Sequence, residues 1–240
     1  MDEIEVLPGV RASRHYALVL EQEELIVAAD LHLGYEGALL EQGVSIPRFQ
    51  KSVIKERLTH LIDAYPDSRV VIVGDFKHEF SRNLQQEWEE VNEVLDFLLE
   101  RAEVDLIRGN HDNFLRTILS RKGQDLKMRV LYGDYTFAHG HREVAWNGTL
   151  VMGHEHPSLG LRDKIGATTK IPCFLVSSDL IVLPALSPLA LGTDVTTFRF
   201  ISPLLRKTPL DDCRVYAIEE KTGLMDFGKL KSLPGTQSRR

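Results

Sequence analysis

Five segments of this 240-residue chain place Asp, Asn or His just after a run of apolar residues. Ala28-Ala29 leads into Asp30-Leu31-His32, and Val73 into Gly74-Asp75-Phe76-Lys77-His78. Ile107 is followed closely by Gly109-Asn110-His111-Asp112, Ala138 by His139-Gly140-His141, and Met152 by Gly153-His154-Glu155-His156. Imidazole nitrogen and carboxylate oxygen suit divalent Mn, Fe or Zn, and no cysteine takes part. A pair of metals about 3.5–4 Å apart needs a set of such ligands and a carboxylate that both share. The segments supply seven: Asp30, His32, Asp75, Asn110, His139, His154 and His156. Gly74, Gly109 and Gly153 let the backbone turn tightly beside them.

Each segment alone also fits a plainer reading. Asp30-Leu31-His32 fits a surface turn, Asp75 a helix cap, Gly109 to Asp112 a turn, and His154-Glu155-His156 a solvated strand edge. Five in order, each after an apolar run, do not share those readings. Seven of the nine histidines fall in them. The other two, His15 and His60, read as structural or solvated.

Positioning such groups requires strand ends. Short apolar runs at 25–29, 70–73, 104–107, 135–138, 150–152, 171–176 and 180–183 predict buried strands. Between them, Pro47 suits the first turn of a helix reaching about Tyr65, with Phe49, Val53, Leu58, Leu61 and Ile62 along one face. Leu84, Trp88, Val91, Leu95, Leu98 and Ala102 predict a second amphipathic helix. Alternating strands and helices indicate an α/β fold, in which ligands bind beyond the carboxyl ends of the strands. A closing hairpin is expected from 213–218 and 223–230. No repeat or linker divides the chain. It reads as one domain over 1–240, with 201–235 as a C-terminal β extension of it.

Apolar residues at 43% and charged residues at 27% fit an ordinary globular chain and exclude a disordered or collagen-like one. No apolar run approaches the roughly 20 residues of a membrane span. The acidic start, MDEIEVLPGV, lacks a signal-peptide pattern. Two cysteines, Cys173 and Cys213, build no disulfide framework, so a cytoplasmic location is expected. The net charge of -6 disfavours a non-specific nucleic-acid binder. Arg48, Lys51, Lys55 and Arg57 form a basic helix face, read as solvated rather than as a nucleic-acid stripe. Trp88 and Cys173 read as core. Glu36 and Glu79 read either as supports of the metal loops or as surface charges.

The series D-x-H, G-D-x-x-H, G-N-H-D, H-G-H and G-H-x-H, spanning about residues 25–156, resembles the calcineurin-like metallophosphoesterase superfamily. The second block ends in His78 where the superfamily usually has Asp, a variant similar to the SbcD-type repair nucleases. The stretches Ala29 to Glu36 and Gly74 to Phe80 are similar to the short SbcD-related phosphoesterases of archaea and their bacterial relatives found with DNA ligase. The resemblance implies a four-layer αββα sandwich of two mixed β-sheets flanked by helices. It implies two divalent metal ions, Mn foremost, with Fe, Zn or Ni as alternatives. By the family pattern Asp30, His32 and His156 hold one metal, Asn110, His139 and His154 the other, and Asp75 bridges them. His111 contacts the phosphate, Asp112 orients it, and His78 lies near the leaving group. His141 is assigned a supporting role beside the ligands. The larger repair nucleases carry a DNA-binding cap after the catalytic core, and the residues after Phe200 are too few for one.

The function expected is hydrolysis of phosphodiester bonds through a hydroxide bridging two metals, acting on nucleic-acid ends. The alternatives are a phosphodiesterase of small or cyclic nucleotides and a non-catalytic scaffold. Expected partners are a phosphodiester substrate, DNA or RNA among them, no membrane, a second copy of the chain, and DNA-repair or ligase- and helicase-type proteins.

Overall fold

A computed structural model of the chain describes residues 1–81, 84–162 and 168–234. Seven strands form the first sheet in chain order: β1 (Glu3–Leu7), β2 (Val10–Ser13), β3 (Ala17–Leu20), β4 (Leu25–Ala28), β5 (Arg69–Val73), β6 (Val104–Ile107) and β7 (Leu126–Lys127). β1 to β4 run as an antiparallel meander, and β4 to β7 are parallel. Parallel neighbours need crossovers. These carry α1 (Tyr35–Glu41) and α2 (Gln50–Ala64), then α3 (Gln85–Leu99), then α4 (Leu115–Arg121). With helices over one face and a second sheet over the other, β4 and β6 are buried at every residue, which is why they read as unbroken apolar runs.

In α2 the buried residues are Gln50, Ile54, Leu58, Leu61 and Ile62, so Ile54 rather than Val53 takes the core position. The helix begins at Gln50, three residues after Pro47. The Glu36 carboxylate fixes that start by accepting the Phe49 and Gln50 N–H groups at 2.6 and 2.8 Å, which satisfies donors a helix leaves open at its start.

The second sheet holds β8 (Val130–Tyr132), β9 (Tyr135–Phe137), β10 (Thr149–Met152), β11 (Pro157–Arg162), β12 (Thr168–Val176), β13 (Leu180–Val182), β14 (Thr193–Asp194), β15 (Arg214–Glu219) and β16 (Gly223–Lys229). Its order is β14-β11-β12-β13-β10-β9-β8, with β15 beside β12 and β16 beside β15. The β9–β10–β13 centre is parallel. The expected hairpin is β15–β16; residue 235, the end of the expected extension, lies outside the described residues.

Side chains of the second sheet alternate between two clusters, as strand geometry requires. Val151, Phe174, Ile181, Tyr216 and Ile218 join the core shared with the first sheet. Leu150, Met152, Cys173, Leu175, Val182, Val215 and Ala217 pack on the other side, with Val195, Phe200, Leu204, Leu205 and Leu210. Two mixed sheets with flanking helices therefore form the α/β architecture that the sequence predicts. Among the described residues every α-helix lies within 35–121, and the other sheet is covered by irregular chain and short 3-10 turns. None of these helices is long and apolar enough to cross a membrane.

Candidate metal centre

All five chemistry-bearing segments leave strands at one edge of the sandwich. Asp30 and His32 follow β4, Asp75 and His78 follow β5, and Asn110 to Asp112 follow β6. His139 and His141 follow β9, and His154 and His156 follow β10. The backbone there is strained. Five of the seven expected ligands, Asp30, His32, Asp75, His154 and His156, have φ between 46° and 69°. The left-handed region costs a non-glycine residue roughly 1–2 kcal/mol, and such strain concentrates at functional sites. No residue pattern in the sequence announces it.

Two clusters of ligand atoms result. Asp30, His32 and His156 form one, and Asp75, His139 and His154 the other. In the first, His32 Nε2 lies 3.2 Å from His156 Nε2, and Asp30 Oδ1 is 3.4 Å from that same nitrogen. In the second, His139 Nε2 lies 3.3 Å from Asp75 Oδ2 and 3.2 Å from Asn110 Oδ1. Asp75 Oδ2 is also 3.9 Å from His32 Nε2, so one carboxylate faces both clusters. A third group, His32, His78 and His111, adjoins them. Gly109 and Gly153 permit this approach: a Cβ on Gly109 would sit 2.0 Å from Asp75 Oδ1, and one on Gly153 2.6 Å from Asp30 Oδ2.

The centre has acceptors in excess. Val73 O takes the hydrogen of His139 Nδ1 at 2.9 Å. His139 Nε2 then meets only the oxygens of Asp75 and Asn110. Asp30 Oδ1, His32 Nδ1, His78 Nδ1 and His141 Nδ1 are buried with no hydrogen-bond partner. Buried acceptors without donors are costly, and a cation resolves the conflict, as does a proton. The residues therefore fit divalent metals.

The titration behaviour follows. Burial alone would lower the His139 pKa, but the Asp75 and Asp30 carboxylates override it and hold it at about 9. His156 is raised by Asp30 in the same way, against its burial. Asp75 and Asp30 are pushed below the ordinary carboxylate value by these imidazoles, although burial opposes it. His32 falls to about 3, through burial and then His156. His154 and His141 fall to about 4, through burial and then His139.

His111 is fixed at two points: its backbone N–H donates to Asp75 Oδ1 at 2.8 Å, and its ring Nδ1 faces the His78 carbonyl. Its side chain remains 29% exposed beside the clusters. The His78 ring stacks on Tyr35 with centroids 3.7 Å apart, and burial followed by His111 lowers it to about 4. Asp112, expected to orient His111, joins loops: its carboxylate accepts the N–H groups of Gly109 at 2.7 Å and Phe76 at 2.9 Å. Burial and then Asp75 raise it to about 6. His15 and His60 stack on each other at 4.7 Å and belong to none of the clusters.

Sequence reasoning missed the supports in α3. The buried Glu87 carboxylate accepts the His78 N–H and the Lys77 ammonium, both at 3.0 Å, and Glu90 accepts the Gly34 N–H at 3.0 Å. A signal was present: Glu87, Val91, Val94 and Leu98 share helical spacing, which puts an acid on the buried face. Of the two glutamates left open, Glu36 is buried and supports α2, while Glu79 accepts the Ser81 N–H at 2.9 Å. Gln50 carries the support onward, its amide donating to the His32 carbonyl at 2.9 Å and to Ser187 Oγ at 2.7 Å.

Two cavities flank the centre. One of about 510 Å³ has His156, Ser158, Ile171, Pro188 and Leu191 in its wall. One of about 250 Å³ has His139, His141, Arg108, Arg129 and Arg142.

Comparison with known proteins identifies the family. The family profile described as Calcineurin-like phosphoesterase matches residues 24–180. No curated protein sequence gives a significant match. Among solved structures, the nuclease MPE of Pseudomonas putida is similar with a TM-score of 0.67 at 20% identity, over 90% of this chain and 95% of that one. The phosphoesterase Yfce of E. coli aligns with a TM-score of 0.41 at 17% identity, over 82% of this chain and 88% of that one.

Proposed function

The chain belongs to the calcineurin-like phosphoesterase family, and from that premise we propose that it is a metal-dependent phosphodiesterase of the short SbcD-related branch, loaded with two divalent cations, Mn foremost. The observation that carries this reading is the Asp75 carboxylate, which faces both ligand clusters at 3.3 and 3.9 Å. Asp30, His32 and His156 would hold one cation, Asn110, His139 and His154 the other, with Asp75 shared. When bound, two such cations lower the pKa of water and offset charge on phosphoryl oxygens.

The remaining work falls to the chain's own side chains. His111, partly exposed and fixed through its backbone and through Nδ1 donating to the His78 carbonyl, carries a hydrogen on Nε2 only as the imidazolium, and in that form is placed to donate it to a phosphoryl oxygen as negative charge builds there. His78, held flat by Tyr35, stands within one ring of His111 and is the candidate to protonate the leaving oxygen. A metal-free His78 near pKa 4 holds no spare proton at neutral pH, so it serves as acid only once a phosphate's negative charge raises it. Glu87 and Asp112 keep the loops carrying His78, Asp75 and Asn110 in place. Hydrolysis of small or cyclic nucleotides is the second reading, and one observation favours it: the 510 Å³ cavity against His156 falls in the size range of small-molecule sites.

One screen tests both. A generic diester, a generic monoester, 2′,3′- and 3′,5′-cyclic nucleotides and labelled oligonucleotides are compared with Mn, Fe, Zn and Ni. Diester cleavage is expected, abolished in Asp75→Ala, whereas His111→Ala binds metal and loses turnover. Full Mn-dependent activity in Asp75→Ala would overturn the assignment.

A further inference from the structure

The basic face read from the sequence is largely engaged within the fold, and Arg48, which precedes the helix, shares a wall with Glu36, Glu89, Glu90 and Glu93. Lys51 and Lys55 both pair with Glu93. Arg57 lies over the Tyr16 ring at 3.7 Å and donates to the Leu186 carbonyl at 2.5 Å. A different set of cations adjoins the metal centre. Arg108, Arg129 and Arg142 line the 250 Å³ cavity whose wall also holds His139 and His141. Arg108 directly follows β6 and precedes Gly109-Asn110, and Arg142 directly follows His141. The chain thus ties two of the three to the segments that carry the centre.

Arg108 and Arg129 are oriented but not saturated. Arg108 Nη2 donates to Asn113 Oδ1 at 3.1 Å, and Arg129 Nη1 to the Ala145 carbonyl at 3.1 Å. A guanidinium has five donors, so each keeps a fork free. Glu143, the acid in this wall, pairs with Lys207. The cavity is left with uncompensated positive charge, and Met128 adds apolar surface at its rim, 52% exposed. Arginine forks match phosphate oxygens. A mononucleotide or cyclic nucleotide cleaved at the centre has no further phosphate to offer them, whereas a polynucleotide strand has a neighbouring phosphate on each side of the scissile one.

We propose that Arg108, Arg129 and Arg142 form a subsite for non-scissile phosphates of a polynucleotide strand. This rests on the phosphodiesterase reading above and names its substrate class. DNA and RNA share the chemistry recognised. The test measures binding of labelled single-stranded DNA and RNA 12-mers by fluorescence anisotropy across a salt series, with chelator present so that nothing is cleaved. For single strands each phosphate contact contributes about 0.7 to the slope of log K against log salt. Arg129→Gln with Arg142→Gln is expected to flatten that slope by about 1.4 and weaken binding at least tenfold at low salt, as that slope change implies. Arg129→Lys with Arg142→Lys keeps the charge and should restore the slope, which separates the subsite from a folding defect. Binding of either strand with this arginine dependence supports the proposal, and a preference between them identifies the nucleic acid. Equal flattening by Lys51→Gln with Lys55→Gln, or an unchanged slope in the arginine pair, would overturn it. Wild-type cleavage of the generic diester without oligonucleotide binding sinks this subsite alone. Arginine-dependent binding with no diester cleavage sinks the phosphodiesterase reading instead.

Discussion

The two sheets contribute unlike ligands and secure them differently. Loops of the first sheet supply both carboxylates, the amide and one imidazole: Asp30, Asp75, Asn110 and His32. Loops of the second supply three imidazoles, His139, His154 and His156. On the first side four buried acids, Glu36, Glu87, Glu90 and Asp112, accept backbone N–H groups from the loops and the helix starts beside them. On the second side Glu155 does this for the N–H groups of Ile201 and Ser202, at 3.1 and 2.9 Å. Neighbouring backbone bonds hold the anionic ligands before any metal arrives. Across the seam His139 and His156 are drawn to those anions by charge, through protons in the metal-free chain and through cations once loaded, whereas His154 is neutral in the metal-free chain and its backbone N–H donates to Asp30 Oδ2 at 2.9 Å.

The largest effect should come from moving the first side. Gly109→Ala places a methyl 2.0 Å from Asp75 Oδ1 and 2.3 Å from its backbone nitrogen. Backbone cannot yield as a side-chain tip can, so Asp75 must shift. Turnover should vanish and Mn affinity, measured by calorimetry, should fall roughly 100-fold, the upper range for disturbing the surroundings of a metal ligand. The counterpart on the second side is Gly140→Ala. Its methyl would meet Met152 Cε at 2.3 Å, a movable group, while φ of +101° adds strain. That strain costs about 1–3 kcal/mol, and Mn affinity should drop less than for Gly109→Ala. Equal losses would dissolve the contrast.

The pH dependence of metal uptake probes the seam. With folded values raised above the ordinary 6.5, His139 and His156 contribute stability to the metal-free chain below pH 6.5, and His139's share is lost as pH rises through about 9. Metal must displace those protons. Mn affinity should therefore climb between pH 6.5 and 9, up to about tenfold per unit for each proton displaced. His32 and His154, lowered to about 3 and 4, are neutral across the window and add nothing. Calorimetry in buffers of different ionisation enthalpy counts the protons. A flat affinity from pH 6.5 to 8.5 would mean that the second-sheet imidazoles are not held by charge.

The sequence was legible wherever burial made it monotonous. β4, β5 and β6 lie between helices and the second sheet, so their apolar runs stand out, and the ligands follow immediately. β1 escaped notice because the edge strand Glu3–Leu7 mixes exposed and buried positions without clean alternation; β3 (Ala17–Leu20) is an exception, buried at every residue, its apolar run legible but passed over. α1 and α4 escaped because seven residues give only two turns of periodicity. The ligand residues were legible by type; their left-handed backbone, the inward turn of Glu87 and Glu90, and the meeting of Arg108, Arg129 and Arg142 depend on contacts between segments far apart in the chain.

The smallest effects separate the two sides most cleanly, because both come from the same change, Glu to Gln, made once on each side. Glu87→Gln keeps the shape of the side chain but removes the negative charge paired with the Lys77 ammonium, 2% exposed, and leaves it only neutral acceptors such as the Glu79 carbonyl. Breaking a buried pair in this way costs about 3 kcal/mol or more, which at this chain length lowers the melting temperature by roughly 6–12 °C. Glu155→Gln removes no cation's partner. Burial raises the pKa of both glutamates, but among the described residues no Lys or Arg pairs with Glu155, and a neutral amide keeps one oxygen for the N–H of Ser202. The net loss is one neutral hydrogen bond, about 1 kcal/mol, or roughly 2–4 °C. Thermal unfolding of both metal-free variants beside the parent measures the gap. Were Glu155→Gln to cost as much as Glu87→Gln, the second sheet's loops would be anchored as firmly as the first's, and the imidazoles would owe their positions to hydrogen bonds rather than to the charges they face.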